Sequence, residues 1–185
     1  MTVRPLVPFV PEGFQYFPHF LSEEEVQEWL SWVEPLPFRQ HKYRGRPMNR
    51  RQVMFGFEFV AGNQELGHAG SFPEKLVSLG HRIAGLTSAE TEFNQCIVTK
   101  YPAGAGIGWH TDAPCFLGGV AALSLGADGR LQLRPEGEDV ASHELVVAAG
   151  SLYVMNGVSR WSFQHRLMAV RATRYSLSFR HARVK

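Results

Sequence analysis

From Phe93 onward the chain reads as a succession of short extended runs. They are Phe93–Lys100, Val120–Leu125, Leu131–Arg134, Leu145–Val147, Leu152–Met155, Trp161–Gln164 and Thr173–Phe179. Gly, Asp, Asn or Ser separates each from the next, which is the pattern of strands joined by turns. Helix signals are confined to the first half. Two helices packed on about seven or eight short strands predict a mainly β domain with flanking helices (α+β), built as a sandwich or a jelly-roll barrel.

The length of 185 residues suits one domain with a sizeable core. A chain that is 44% hydrophobic and 12% aromatic is globular and not disordered. No apolar run approaches a membrane span, and the N-terminus has no basic-then-apolar signal peptide. Cys96 and Cys115 are too few to staple a domain and form no Cys-x-x-Cys pair. Free thiols point to an intracellular, cytoplasmic protein.

Net charge is only +2, but it is unevenly spread. No acid occurs from Leu145 to Lys185, where Arg160, Arg166, Arg171, Arg174, Arg180, Arg183 and Lys185 lie. The segment Phe38–Phe57 also lacks acids and holds Arg39, Lys42, Arg44, Arg46, Arg50 and Arg51. Such stretches are either solvated faces or the footprint of an anionic partner, most simply nucleic acid.

Residues 1–20 carry Pro5, Pro8, Pro11 and Pro18 and read as an extended arm with a short strand near Phe14–Phe17. Ser22-Glu23-Glu24-Glu25 is a capping box, with Leu21 and Val26 as a hydrophobic staple. It opens a helix through about Val33, which Pro35 stops. Gly45 and Pro47 predict a hairpin-like turn, and Val53–Val60 a strand followed by a loop. Ser71-Phe72-Pro73-Glu74 is a second capping box, opening a helix that Gly85 is expected to end.

The chemistry begins at Asn94–Asp112, where a Pro/Gly turn separates an apolar strand from His110-Thr-Asp112. In an extended segment His110 and Asp112 share one face, and Trp109 and Thr111 the other. One imidazole and one carboxylate make two-thirds of a facial metal site of the non-haem iron type. The missing ligand would be a second histidine from elsewhere in the chain, and three lie beyond Asp112: His143, His165 and His181. His143 sits in a polar loop and His181 follows the last strand, whereas His165 ends a strand. The last strand alternates Arg174, Ser176, Ser178 and Arg180 with Tyr175, Leu177 and Phe179. The first set suits a polar cavity and the second a core. An arginine fork there is matched to a carboxylate.

Together these residues resemble the AlkB-like iron(II)- and 2-oxoglutarate-dependent dioxygenases. The match spans roughly Phe93–Arg180. It includes Tyr101 with its Pro/Gly turn, His110-Thr-Asp112, Leu123–Gly129, Gly150–Gly157, Ser159–His165 and Arg174-x5-Arg180. The resemblance implies a double-stranded β-helix (jelly roll) core over about 93–181, with helices and a nucleotide-recognition lid over about 1–92. It implies iron held by His110, Asp112 and His165. It places Tyr101 and Arg174 on the distal carboxylate of 2-oxoglutarate, and Arg180 near its other end and the Asp112 carboxylate. The implied reaction consumes O2 and 2-oxoglutarate and yields succinate and CO2. Hydroxylation of an N-methyl group would release formaldehyde.

The basic segment falls at the lid, which favours a nucleic-acid base, flipped out or single-stranded, as substrate. Arg46, Arg50 and Arg51 are then expected on phosphates, and Tyr43, Phe55 and Phe38 over a base. Two departures stand out. Thr99 replaces the asparagine of many members, and Ala113-Pro114-Cys115-Phe116 follows His110-Thr-Asp112 where DNA-repair members carry an acid. The latter resembles the branch acting on transfer RNA or on unclear substrates. Two other readings remain open: the same iron chemistry on a protein side chain, and a nucleic-acid-binding module with weakened turnover.

Overall fold

The computed structural model describes residues 10–60, 65–87 and 92–183. In chain order the elements open with β1 (Phe14–Phe17), α1 (Glu23–Val33), β2 (Lys42–Tyr43), β3 (Arg46–Pro47), β4 (Arg51–Val60), β5 (Glu65–Gly70) and α2 (Glu74–Thr87). Next come β6 (Gln95–Tyr101), β7 (Ile107–His110), β8 (Phe116–Gly126), β9 (Gly129–Pro135) and β10 (His143–Val147). The chain closes with β11 (Leu152–Met155), α3 (Gly157–Trp161), β12 (Phe163–Leu167) and β13 (Arg174–Ala182).

A seven-stranded sheet runs β1-β11-β8-β13-β6-β4-β5, and a four-stranded sheet runs β10-β9-β12-β7. Every pairing is antiparallel. This is the jelly roll expected from the strand run.

Alternation along the strands divides the apolar residues into two cores. One lies between the larger sheet and the helices, where Trp29, Val33, Leu76 and Ile83 meet Val98, Leu177 and Phe179. The other lies between the sheets, built from Val120, Leu131, Leu133, Val147 and Met155. The α1 capping box forms as the sequence predicts. Glu25 N–H donates to Ser22 Oγ at 3.2 Å, and Ser22 N–H donates to Glu25 Oε2 at 2.9 Å. The turn inside the basic segment also forms. Arg44 and Gly45 both take positive φ, 50° and 77°, between β2 and β3, the backbone of a tight primed hairpin turn.

Several expectations are corrected. The helix α2 begins two residues later than a Ser71 cap would set it, with Val77 N–H donating to the Pro73 carbonyl. It also runs through Gly85 to Thr87, because a glycine stops a helix only when it adopts the left-handed conformation. Part of the expected loop after Val60 is the strand β5, whose Glu-Leu-Gly-His-Ala-Gly carries little β signal. Trp161 belongs to the short helix α3 and not to a strand. His143 opens β10, and His181 lies within β13. Pro5, Pro8 and Lys185 lie outside the described residues.

Candidate metal centre and cosubstrate pocket

The antiparallel pairing of β7 with β12 sets His110 directly opposite His165. Their side chains therefore leave the sheet on one face, with ring centroids 4.2 Å apart at 49°. Asp112 follows β7 and turns into the same cavity, where its Oδ2 lies 3.8 Å from His165 Nε2. Asp112 and His165 are buried. His110 Nδ1 lies 2.8 Å from the Gly108 carbonyl. A carbonyl can only accept, so Nδ1 carries the proton and Nε2 presents its lone pair. His143 and His181 lie elsewhere, the first against Phe163 and the second bonded to the Glu92 carbonyl.

Electrostatics keep the three groups in their deprotonated forms. Burial drives His165 down to about 3, with His110 adding to the effect. Burial also lowers His110, against the opposing pull of Asp112. For Asp112 burial acts to raise the pKa, but Arg180, His165 and His110 outweigh it and hold the carboxyl well below its usual range. Arg180 Nε and Nη2 both donate to Asp112 Oδ1, at 2.8 and 2.7 Å. Among the described residues, no three such side chains yet surround one point at ligand distances. The donor set still fits a divalent metal: two neutral imidazoles and one carboxylate, each free of a competing proton.

Arg174 lies deeper, fully buried between the sheets. Its Nη2 donates to Ser124 Oγ at 2.8 Å, while its buried Nε has no partner. Among the described residues, no carboxylate pairs with it. Its guanidinium lies 5.6 Å from the Tyr101 ring centre. Gly129 leaves it room, since a Cβ there would fall 2.9 Å from Arg174 Nε. A buried cation with an unused donor and no ion pair can hold an incoming carboxylate. Ser176, Ser178 and Arg180 line the same cavity, while Tyr175, Leu177 and Phe179 point into the other core.

Sequence reasoning missed Arg160 and Tyr153. Arg160, on α3, is buried and donates to the carbonyls of Asp112, Ala113 and Phe116, at 3.1, 3.0 and 3.4 Å. It fixes the loop that carries Asp112. Tyr153 lines the cavity beside Tyr101 and Arg174, its ring stacked on Phe14. Thr99 is absent from that lining. Its hydroxyl instead accepts from Gln52 Nε2 at 3.2 Å.

The expected lid residues separate. Arg50 is half-buried and lines a separate concavity, with Tyr101 and His110 both within its field. Arg46 and Tyr43 are exposed on the hairpin, where the Arg44 guanidinium sits 5.4 Å from the Tyr43 ring centre. Phe55 packs against Trp32, and Phe38 against Tyr175, so both aromatics belong to the helix-side core and not to a base platform. Arg51 shares Phe55's side of β4 and pairs in register with Lys100, so it faces away from the cavity. The C-terminal basic run is not one solvated face either, since Arg160, Arg174 and Arg180 all turn inward.

Residues 13–185 match the family model of the 2OG-Fe(II) oxygenase superfamily. The chain belongs to that superfamily, and it is therefore an oxygenase that works with iron(II) and 2-oxoglutarate. No curated protein sequence matches it. Among solved structures, OsALKBH1 is 17% identical with a TM-score of 0.78, over 94% of this chain and 98% of that one. A Pseudomonas putida prolyl-4-hydroxylase is 16% identical with a TM-score of 0.66, over 94% of each chain. A Trichoplax adhaerens prolyl hydroxylase, in complex with a hypoxia inducible factor oxygen degradation domain peptide fragment, is 17% identical. Its TM-score is 0.64, over 93% of this chain and 84% of that one. At these identities the likeness establishes the shared fold. No helix among the described residues is long and apolar enough to cross a membrane.

Proposed function

We propose that this chain is an AlkB-like oxygenase acting on an alkylated base in single-stranded or flipped-out nucleic acid. His110, Asp112 and His165 hold the iron, and Tyr101 and Arg174 hold the distal carboxylate of 2-oxoglutarate. Iron and cosubstrate, when bound, supply the oxidising power for hydroxylating a C–H bond, with succinate and CO2 formed from 2-oxoglutarate. The protein's own part is positional. Gly108 sets the His110 tautomer, Arg180 occupies one oxygen of Asp112, and Arg160 fixes the backbone behind it. Arg174 lies deep in the cavity, so the cosubstrate is anchored away from the mouth.

The observation that carries the nucleic-acid reading is Arg50, a half-buried cation within the field of His110 and Tyr101 and with no acidic partner among the described residues. The exposed hairpin cations Arg44 and Arg46 and the ring of Tyr43 lie just before it in the chain. A second reading, hydroxylation of a protein side chain, draws on the fold shared with the two prolyl hydroxylases.

The deciding experiment is a substrate panel with iron, 2-oxoglutarate and oxygen. N-methylated single-stranded DNA and RNA oligonucleotides should yield succinate and formaldehyde in equal amounts. Proline-containing peptides should yield neither above background. Succinate coupled only to a peptide overturns the proposal in favour of the second reading. Metal binding to the alanine variants tests the ligand set: His165→Ala should lose it and His143→Ala should keep it.

A further inference from the structure

A strand alternates its faces residue by residue, yet Ile107 and His110, three residues apart on β7, both line the inner cavity. Regular alternation would send one of them outward. The register shows how both come to face inward. Ile107 pairs with Leu167 and His110 with His165, so Gly108 and Trp109 together stand opposite Arg166 alone. This is a β-bulge with one extra residue on β7, a device that re-aims a side chain. Were the pairing regular from Ile107 onward, Trp109 would stand opposite His165 and His110 would face away from the cavity.

The backbone does little to hold the bulge. β7 has four residues, forms the free edge of its sheet and follows a turn that contains Gly104 and Gly106. A Cβ at Gly108 would meet nothing within 4 Å, so no packing there opposes a change of register. The hold lies on the outer face of the sheet. Trp109 emerges there, with the guanidiniums of Arg134 and Arg166 at 4.4 and 4.5 Å from its ring centre. Each arginine is fixed by the glutamine directly opposite it on the β9–β12 ladder. Arg134 Nε and Nη2 donate to Gln164 Oε1 at 2.9 and 2.7 Å, and Arg166 Nε donates to Gln132 Oε1 at 2.6 Å. Neither arginine forms an ion pair among the described residues, so the indole ring takes up their charge. Gln164 and Arg166 are also the chain neighbours of His165, so the side chains that hold Trp109 flank the second histidine.

We propose that Trp109 is a positioning residue for the metal centre: held between Arg134 and Arg166, it locks the bulge in the register that turns His110 toward His165 and Asp112. The inference rests on the ligand set proposed above. Trp109 lies on the far side of the sheet from the cavity and acts only through His110. The regular register would pull the indole off both cations and carry it inward, opposite His165. The clamp therefore favours one of two registers, and the favoured one presents the ligand. The contact of His110 Nδ1 with the Gly108 carbonyl spans the same bulge, so the tautomer depends on that register as well.

The test is the Mn(II) affinity of the 185-residue chain, measured by calorimetry without cosubstrate. It is paired with the visible spectrum of the protein saturated with Co(II), which reports ligand geometry whatever the affinity. Trp109→Leu should lower Mn(II) affinity about 10- to 100-fold, the usual range for groups that orient ligands, and should change the Co(II) spectrum. Trp109→Phe still offers a ring face to the cations and should recover affinity to within about fivefold of wild type, with the wild-type spectrum. Arg134→Met should lower affinity about two- to fivefold, the worth of one partly exposed cation–π contact. In the Trp109→Leu background it should cost nothing further, because it acts through the ring. If Trp109→Leu and Arg134→Met both keep the wild-type Mn(II) affinity and Co(II) spectrum, the clamp is overturned, and a fall confined to the urea midpoint overturns it equally. Should Trp109→Leu fail to fold, Arg134→Met decides alone, and wild-type affinity in that variant overturns the clamp. If His110→Ala keeps full Mn(II) affinity, the ligand set itself falls and takes this inference with it. A loss in His110→Ala without one in Trp109→Leu removes the clamp and leaves the ligand set standing.

Discussion

Arg160 gives the sharpest test of how the metal centre is held. Its guanidinium donates to three carbonyls of one loop, those of Asp112, Ala113 and Phe116. It also sits 4.1 Å from the Trp161 ring centre. Arg160→Met keeps most of the buried volume and removes the charge and all three bonds. Charge-assisted bonds are worth about 1.5–3 kcal/mol each. The two shorter ones dominate, and part of the loss returns because a buried cation no longer needs desolvation. A net destabilisation of about 2–4 kcal/mol follows, which lowers Tm by roughly 5–15 °C for a chain of this size. The loop also loosens behind Asp112, so metal affinity should fall about 10- to 100-fold, the usual range for groups that support ligands. The assays are urea unfolding of the metal-free protein and titration with Mn(II). Unfolding and Mn(II) binding curves that both superimpose on the wild type would falsify this account of Arg160.

Three further outcomes follow from the same geometry. Arg174→Met should raise the KM for 2-oxoglutarate about ten- to a hundredfold, from the loss of a charge-assisted contact of about 1.5–3 kcal/mol; an unchanged KM in a folded variant removes Arg174 from the cosubstrate site. His165 is pushed down to about 3, and Asp112 is also lowered, so the unfolded chain binds more protons than the folded one in acid. Stability of the metal-free protein should therefore be complete above about pH 6.5 and decline as pH falls below it, by about 3 kcal/mol at pH 4 from His165 alone; a urea midpoint constant down to pH 4.5 contradicts this. Phe55→Ala should cost about 2–3 kcal/mol through its packing on Trp32 yet leave oligonucleotide affinity unchanged; an affinity loss at unchanged stability would return Phe55 to the lid.

The strand run and the alternation of the last strand were legible because period-2 patterning is a local property. Arg174, Ser176, Ser178 and Arg180 could be assigned to a cavity face from the sequence, and the structure lines the inner cavity with these four. The pairing of His110 with His165 was legible as a candidate because both lie on strand segments, although 54 residues separate them. What the string of letters hides is direction. Arg160 reads as part of a basic stretch, and only the fold shows that it points inward, onto the loop that carries Asp112. Arg51 and Arg50 are adjacent in sequence and face opposite ways, so equal weight on both was misplaced. Phe38 and Phe55 read as platforms because they sit among arginines, but the helix-side core claims them. The helix α3 was hidden because five residues are too few to show a helical period.

The balance of charge explains why Arg174 and Arg180 are not redundant. Of the ionised groups lining the inner cavity, Asp112 is the one acid, facing two arginines, while burial keeps both histidines neutral. Arg180 directs two donors at a single oxygen of Asp112, so its charge is matched within the protein. Arg174 donates to the neutral Ser124 hydroxyl and has no ion pair among the described residues. A second acid beside Arg174 would have stabilised the empty fold, and it would also have excluded a carboxylate ligand. The cavity instead keeps an excess of positive charge, and a divalent metal increases it. A dianion relieves that excess at both ends of the cavity. Metal and cosubstrate are therefore coupled, and linkage requires each to strengthen the binding of the other by the same factor. On the proposed assignment, the buried, unpartnered Nε of Arg174 is a donor left for the cosubstrate carboxylate.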